Sequence, residues 1–238
     1  MKLKSIKVAA IIPAAGIGIR MGKSIPKQFL SIKGIPVLAL TLKAFQRSDL
    51  IDHIVVVVPE NEISRSKDII REYGISKVYK VIAGGKRRQD SVRIGLDAIK
   101  EIMNDSDLVV IHDGVRPFID IKLIDKVILE AENYPAVVVG YPAKDTLKEV
   151  DEKGYITSTL KRDKIWLIQT PQVFRFKDIF FAHQKAWNED WEGITDDSML
   201  IERLGFRVKV IKGDEKNIKI TTPFDLELAE YIFTRYYA

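Results

Sequence analysis

The sequence predicts an α/β fold: a mostly parallel sheet with helices on both faces, plus a protruding β-hairpin arm. Three observations lead there. Short apolar, β-branched runs recur along the chain, amphipathic stretches of helical period separate them, and the first run ends in a glycine-rich turn. Strands that alternate with helices are joined by crossovers, and crossovers make strands parallel and cover both faces of the sheet.

Taken in order, residues 7–13, 53–59, 78–82, 108–112, 136–141 and 206–211 read as strands. Residues 36–47, 62–73, 90–102, 121–133, 177–188, 196–204 and 223–236 read as helices. The segment 144–162 breaks the alternation. KDTLKEV, DEKG and YITSTLKR make two β-rich runs around a turn that ends in Gly154, which is a hairpin. It carries few large apolar residues, and an isolated two-stranded ribbon is marginal in water. The hairpin therefore needs a surface outside its own domain, and a second subunit is the simplest one. This gives residues 1–238 as one domain, with 144–162 as a dimerisation arm.

Composition excludes several function classes. The 238 residues include no cysteine, which rules out disulfides, zinc fingers and thiolate nucleophiles. With 46% hydrophobic and 30% charged residues, the chain can bury a core and still solvate its surface. The basic start and apolar run MKLKSIKVAAIIPAAG have the outline of a signal peptide, but Pro13 and the glycine loop suit a first strand better. No stretch approaches the ~18 apolar residues of a membrane span. These points lead to the expectation of a cytoplasmic protein without membrane or nucleic-acid partners. The net charge of +5 comes without a basic run interleaved with aromatics.

The first loop, PAAGIGIRMGK, brings backbone amides toward a phosphate, as glycine turns after a first strand do. Two familiar phosphate loops fail. The dinucleotide fingerprint needs glycine at 21, where Met21 stands, and Gly18 to Gly22 is one residue too short for a Walker A loop. Arg20, Lys23 and Lys27 then place three cations in one turn-rich segment, which suits a triphosphate.

PAAGIGIRMG with PKQFL resembles the signature of sugar nucleotidyltransferases. The likeness continues in order through GGKRRQDSV, HDGVRPF, AKDTL, QTPQVF, ITDDS and NIKITTPFDLELAE. It covers essentially the whole chain and is nearest to the 2-C-methyl-D-erythritol 4-phosphate cytidylyltransferase family. The ribitol-5-phosphate cytidylyltransferases share the first loop, the HDxxRP block, TPQ and NxKIT; AKDTLK with Arg162 favours the methylerythritol enzymes. Lys86 departs from the pattern, since many relatives carry an acidic residue there.

The resemblance implies a Rossmann-like fold, CTP and a phosphorylated sugar alcohol as substrates, and residue roles. Arg20 and Lys27 would contact the triphosphate and stabilise the transition state. Lys219 would reach the α-phosphate region, and Pro13, Ala14, Ala15, Gly16, Gly84, Gly85, Arg88 and Ser91 would bind the nucleotide. Arg116, Thr146, Arg162, Thr170 and Thr195 would line the second substrate's site with Asp113, the arm residues Thr146 and Arg162 reaching in from a neighbouring subunit; Arg162 is counted with the catalytic group. Asp113 follows the apolar strand LVVIH at its carboxyl end, where ligands of open α/β sheets bind. A carboxylate among phosphates repels them unless it holds a metal, so Mg²⁺ or another divalent cation is expected at Asp113. Two roles fit Asp196: a helix N-cap or a hydrogen bond to a substrate hydroxyl.

Overall fold

The structure is a computed structural model that describes residues 6–16 and 25–237. The chain opens with β1 (Val8–Pro13), then a small hairpin of β2 (Ser31–Ile32) and β3 (Ile35–Pro36), then α1 (Val37–Arg47) and β4 (His53–Val58). Next come α2 (Ile63–Glu72), β5 (Val78–Ala83), α3 (Arg88–Ile99), β6 (Leu108–Ile111), α4 (Ile121–Glu130) and β7 (Ala136–Pro142). The hairpin of β8 (Lys148–Val150) and β9 (Ile156–Thr159) precedes β10 (Trp166–Arg175), α5 (Phe176–Asn188) and α6 (Ser198–Arg203). β11 (Val208–Lys212) and α7 (Pro223–Tyr236) close the chain.

Seven strands form one sheet in the order β11-β7-β10-β6-β1-β4-β5. All neighbours are parallel except β10, which runs antiparallel to both β6 and β7. This strand is absent from the expected set. Its QTPQVF core carries Pro171 and two glutamines, residues that weaken a strand reading. The ladder with β7 shifts register between Ile168 and Gln172, which lets the proline sit where the pairing is interrupted.

The central strands are buried on both sides, which explains their unbroken β-branched runs. Successive residues of β1 serve opposite cores. Val8, Ala10 and Ile12 pack with Leu38 and Leu42 of α1, Ile69 of α2, and Ile124 and Val127 of α4. Ala9 and Ile11 pack with Leu96 of α3, Ile179 of α5 and Leu200 of α6. Each Val, Leu or Ile among them that is withdrawn from water stabilises by about 1.5–3 kcal/mol. A third core joins Ile32, Val115, Phe118 and Ile220 to Ala229 and Ile232 of α7, seating that helix beside the end of β6.

The chain steps from β1 outward to β4 and β5, then returns to β6 on β1's other side. That reversal opens a crevice at the carboxyl ends of β1 and β6. The loops after β1, β5, β6 and β11 converge there. The expected hairpin is present within 144–162. Asp151 Oδ1 accepts from the amides of Lys153 (3.0 Å) and Tyr155 (2.9 Å), and Gly154 takes φ +84°, a conformation glycine adopts without a Cβ clash.

Candidate active site

Two adjoining pockets occupy the crevice. The first, of about 160 Å³, is lined by Pro13 to Gly16, Lys27, Gln28, Gly85 to Arg88, Ser91, Asp113, Val115 and Lys219. The second, of about 460 Å³, is lined by Arg88, Asp113, Arg116, Gln169, Thr170, Thr195, Asp196, Met199 and Lys219, among others. Arg88, Asp113 and Lys219 belong to both and so form the shared wall.

The floor of the first pocket is built by close backbone approach. A Cβ on Gly84 would lie 2.4 Å from the Cβ of Ala15 and 2.7 Å from Ser91 Oγ, so only glycine lets these loops meet. Ser91 is 2% exposed and its hydroxyl is committed: it donates to Arg87 O (3.2 Å) and accepts from Gly85 N–H (3.2 Å). It braces the glycine loop as well as lining the pocket. At the start of α3 the Asp90 carboxylate accepts from the Arg87 amide (3.0 Å) and pairs with its guanidinium (2.9 Å). Arg87 is thereby held at the pocket's edge.

Asp113 is the electrostatic centre. Its Oδ1 accepts from Arg88 Nε at 2.8 Å, and its Oδ2 faces Lys219 Nζ at 2.9 Å and Arg116 Nε at 3.5 Å. Burial by itself would push this carboxyl up, but Arg88, Lys219 and Arg116 override it and hold Asp113 well below the usual carboxylate range. One anion and three cations leave a net positive wall. This changes the expectation drawn from sequence: protein cations already offset the carboxylate among phosphates, so its presence alone does not demand a metal. For Arg116, burial lowers the guanidinium below its ordinary value, and the Asp113 charge opposes that shift.

His112 is fully buried behind this wall. Desolvation drives its pKa down to about 4, against smaller opposing contributions from Arg116's carbonyl and Asp113. The neutral ring fixes its own tautomer. Nε2 lies 3.0 Å from Arg116 O and must carry the proton; Nδ1, 3.2 Å from Thr170 Oγ1, therefore accepts. Thr170 Oγ1 in turn accepts from the Asp113 amide at 3.0 Å. His112 is a strand-end brace, and Thr170 keeps one lone pair for a ligand.

Lys219 is set by the loop after β11. Asn217, fully buried, donates to Thr170 O (2.8 Å), while its own carbonyl accepts from Arg116 Nη1 (2.8 Å) and Gln169 Nε2 (3.1 Å). The Ile220 amide donates to Val115 O at 3.0 Å. The following helix α7 is started by Thr222, whose hydroxyl accepts from Asp225 N–H, with Pro223 at its first position.

Lys27, Lys219, Pro13, Ala14, Ala15, Gly16, Gly85, Arg88, Ser91 and Asp113 thus all line the first pocket, and Arg116, Thr170 and Thr195 line the second. Gly84 supports the floor from behind. Arg20 and Lys23 lie outside the described residues. Thr146 and Arg162 line neither pocket; Arg162 Nη1 donates to Lys144 O at 2.7 Å at the root of the arm. Asp196 stands one residue before Asp197, the N-cap of α6: its Oδ1 accepts the Met199 amide (3.1 Å), its Oδ2 accepts from Gln172 (2.7 Å) and Ser198 (2.8 Å), and it also lines the second pocket.

Sequence reading passed over Gln28, Asn217, Gln169 and, above all, Asp197. Asp197 is 1% exposed and pairs with Arg88 Nη1 at 2.7 Å. Its signal was present in the ITDDS block, where two adjacent carboxylates stand and only the first was weighed. Gln28 is fully buried, with both amide atoms unbonded among the described residues.

A model of the 2-C-methyl-D-erythritol 4-phosphate cytidylyltransferase family matches residues 8–235. The chain belongs to this family. Members in Geobacter metallireducens and Syntrophus aciditrophicus are 47% and 48% identical to it, each over 94% of this chain and over 96% and 94% of their own lengths. A crystal structure of the 4-diphosphocytidyl-2C-methyl-D-erythritol synthase from Anaerococcus prevotii superposes with a TM-score of 0.85 at 35% identity, covering 97% of both chains. The Francisella tularensis cytidylyltransferase structure gives 0.80 at 33% identity, covering 94% of this chain and 99% of that one. These two solved structures therefore share the overall fold of this chain. Among the described residues no helix is long and apolar enough to cross a membrane.

Proposed function

We infer that the chain transfers the cytidylyl group of CTP to 2-C-methyl-D-erythritol 4-phosphate, releasing pyrophosphate, in the non-mevalonate route to isoprenoids. One observation carries the site reading: two pockets of different size meet at a wall made of Arg88, Asp113 and Lys219. A group-transfer enzyme without a covalent intermediate needs two substrates side by side, with cations where they touch.

The nucleophile is a phosphate oxygen of the sugar alcohol, largely dianionic near neutral pH because its second pKa is about 6. It forms a new bond to the α-phosphorus as the bond from that phosphorus to the bridging oxygen of the pyrophosphate breaks. No proton need be removed, which agrees with a site whose buried His112 is held neutral. In this assignment CTP occupies the first pocket. Its base and ribose lie against Ala14–Gly16 and the Gly85–Ser91 loop, and its phosphates face Lys27, with Arg20 completing the set. The sugar alcohol phosphate occupies the second pocket near Arg116, Thr170 and Thr195. Lys219, shared by both, aligns the attacking oxygen with the α-phosphate.

Mg²⁺, or another divalent cation, is proposed as cofactor. Asp113 fits it in a limited way. The residue lines both pockets, and a carboxylate has about four lone-pair sites, of which the two short cation contacts use two. Mg²⁺ held by one carboxylate together with substrate phosphates and water is its usual arrangement. Among the described residues no cluster of three acidic or histidine side chains offers a dedicated cage. When bound, the ion would neutralise charge on the triphosphate. The arm, with Thr146 and Arg162, is proposed to complete the second pocket of a partner subunit in a cytoplasmic homodimer.

The deciding experiment offers CTP with a panel of phosphorylated polyols and follows pyrophosphate. Turnover is expected with methylerythritol phosphate, lost on chelation and restored by Mg²⁺. Turnover of ribitol 5-phosphate instead would overturn the substrate assignment.

A further inference from the structure

Behind the shared wall runs a buried line of side chains. His183, 1% exposed on α5, points Nε2 at Asp197 Oδ1 (3.1 Å); because a carboxylate only accepts, Nε2 carries the proton. Asp197 Oδ2 accepts from Arg88 Nη1 (2.7 Å), Arg88 Nε donates to Asp113 Oδ1 (2.8 Å), and Asp113 Oδ2 holds Lys219 Nζ (2.9 Å). Charges alternate along the line, and it ends on the cation common to both pockets. Arg88 Nη2 is buried and has no partner among the described residues.

The guanidinium is thus shared between two carboxylates, each taking one nitrogen. An arginine facing a single carboxylate prefers the bidentate fork, taking both oxygens. Without Asp197, Arg88 would turn fully onto Asp113, engage Oδ2 and compete with Lys219 for it. We propose that Asp197 is a positioning residue for the transfer step: by tethering Arg88 from behind, it restricts that arginine to Oδ1 of Asp113 and reserves Oδ2 for Lys219. This rests on the cytidylyltransferase reading above. Asp197 lines neither pocket, so its effect on the reaction passes through Arg88.

The test is a double-mutant cycle read by pyrophosphate release. Asp197→Asn keeps the shape and removes the charge; it is expected to lower kcat ~10–100-fold, as a misplaced catalytic group does, with KM for either substrate changing less than ~3-fold. Lys219→Ala lowers kcat as well. In the double variant the losses should not multiply: if Asp197 works through Lys219, its kcat lies within ~3-fold of Lys219→Ala alone. Losses that multiply, or a change confined to KM, would overturn the proposal. Should Asp197→Asn fail to fold, Asp197→Glu, which keeps the charge but displaces the carboxylate, combined with Lys219→Ala runs the same cycle with the same two readings. If wild-type protein releases no pyrophosphate when given CTP and methylerythritol phosphate, the reaction assignment fails instead, independently of the cycle.

Discussion

The cleft and the arm are built on opposite terms. In the cleft Asp113, Asp197 and His112 are buried and each has hydrogen bonds or ion pairs within the same chain. In the arm Val150, Tyr155 and Ile156 are 60%, 70% and 63% exposed, and the two strands touch mainly each other. Polar groups buried in the cleft would cost several kcal/mol if unpaired, so the chain must complete that region itself. Apolar groups on a two-stranded ribbon gain only when something covers them. The difference teaches that one polypeptide preassembles the charge-bearing centre, whereas the arm leaves apolar surface that the proposed partner subunit would cover.

The sharpest way to break that contrast is to remove a cation of the cleft. Lys27→Ala should cut kcat by about 10²–10³-fold, the usual cost of losing one preorganised donor to a developing charge. Circular dichroism should remain that of the native fold. Near-normal turnover would show that the first pocket does not work by charge neutralisation.

The second prediction joins the two regions. Arg162→Ala and Lys219→Ala variants, each nearly inactive, should regain activity when unfolded and refolded together. In a two-fold dimer that exchanges arms, a mixed pair has one intact site, so recovery should approach about a quarter of wild-type activity. Mixtures no more active than the separate variants would mean that Arg162 serves its own chain or none. Tyr155→Ser with Ile156→Ser should independently shift the species seen by light scattering toward monomer.

Much of this was legible in the sequence, for reasons that differ between regions. The four inner parallel strands, β1, β4, β6 and β7, show themselves because burial on both faces demands continuous apolar runs, such as HIVVVV of β4, and the edge strands β5 and β11 keep shorter mixed runs. β10 does not, because its partners on both sides, and not its own residues, make it a strand: Gln172 pairs with both β6 and β7, while Thr170 and Pro171 fall in the register break beside it. The glycine and basic motifs disclosed the cleft's lining. They did not disclose what holds it. Asp197, His183 and Asn217 act through contacts with residues 14 to 109 positions away, and such contacts leave no local spacing to read. The arm was visible as a break in the alternation, and its poverty in large apolar residues pointed to a partner.

The smallest expected effect separates the regions by acid stability. His112 is about 4 in the fold against an ordinary 6.5, lowered by burial, with Arg116 and Arg88 adding to the shift and Asp113 opposing it. As pH falls below 6.5 the unfolded chain takes up a proton that the folded chain refuses, so stability drops through this window until pH 4. Linkage puts the loss at about 2 kcal/mol by pH 5 and about 3 kcal/mol by pH 4. Asp113, whose folded value is depressed, loses its contribution only below the ordinary carboxylate range and does not add to this window. Urea midpoints at pH 7.5 and 5 should therefore fall in wild type and fall equally in the Tyr155→Ser, Ile156→Ser arm variant. His112→Gln should start less stable, since it gives up the packing of the ring on Phe45 at 4.9 Å, yet lose distinctly less between the two pH values. If its pH slope matched wild type, the acid sensitivity would belong to other groups, and the neutral histidine would not be what ties the end of β6 to the Arg116 carbonyl.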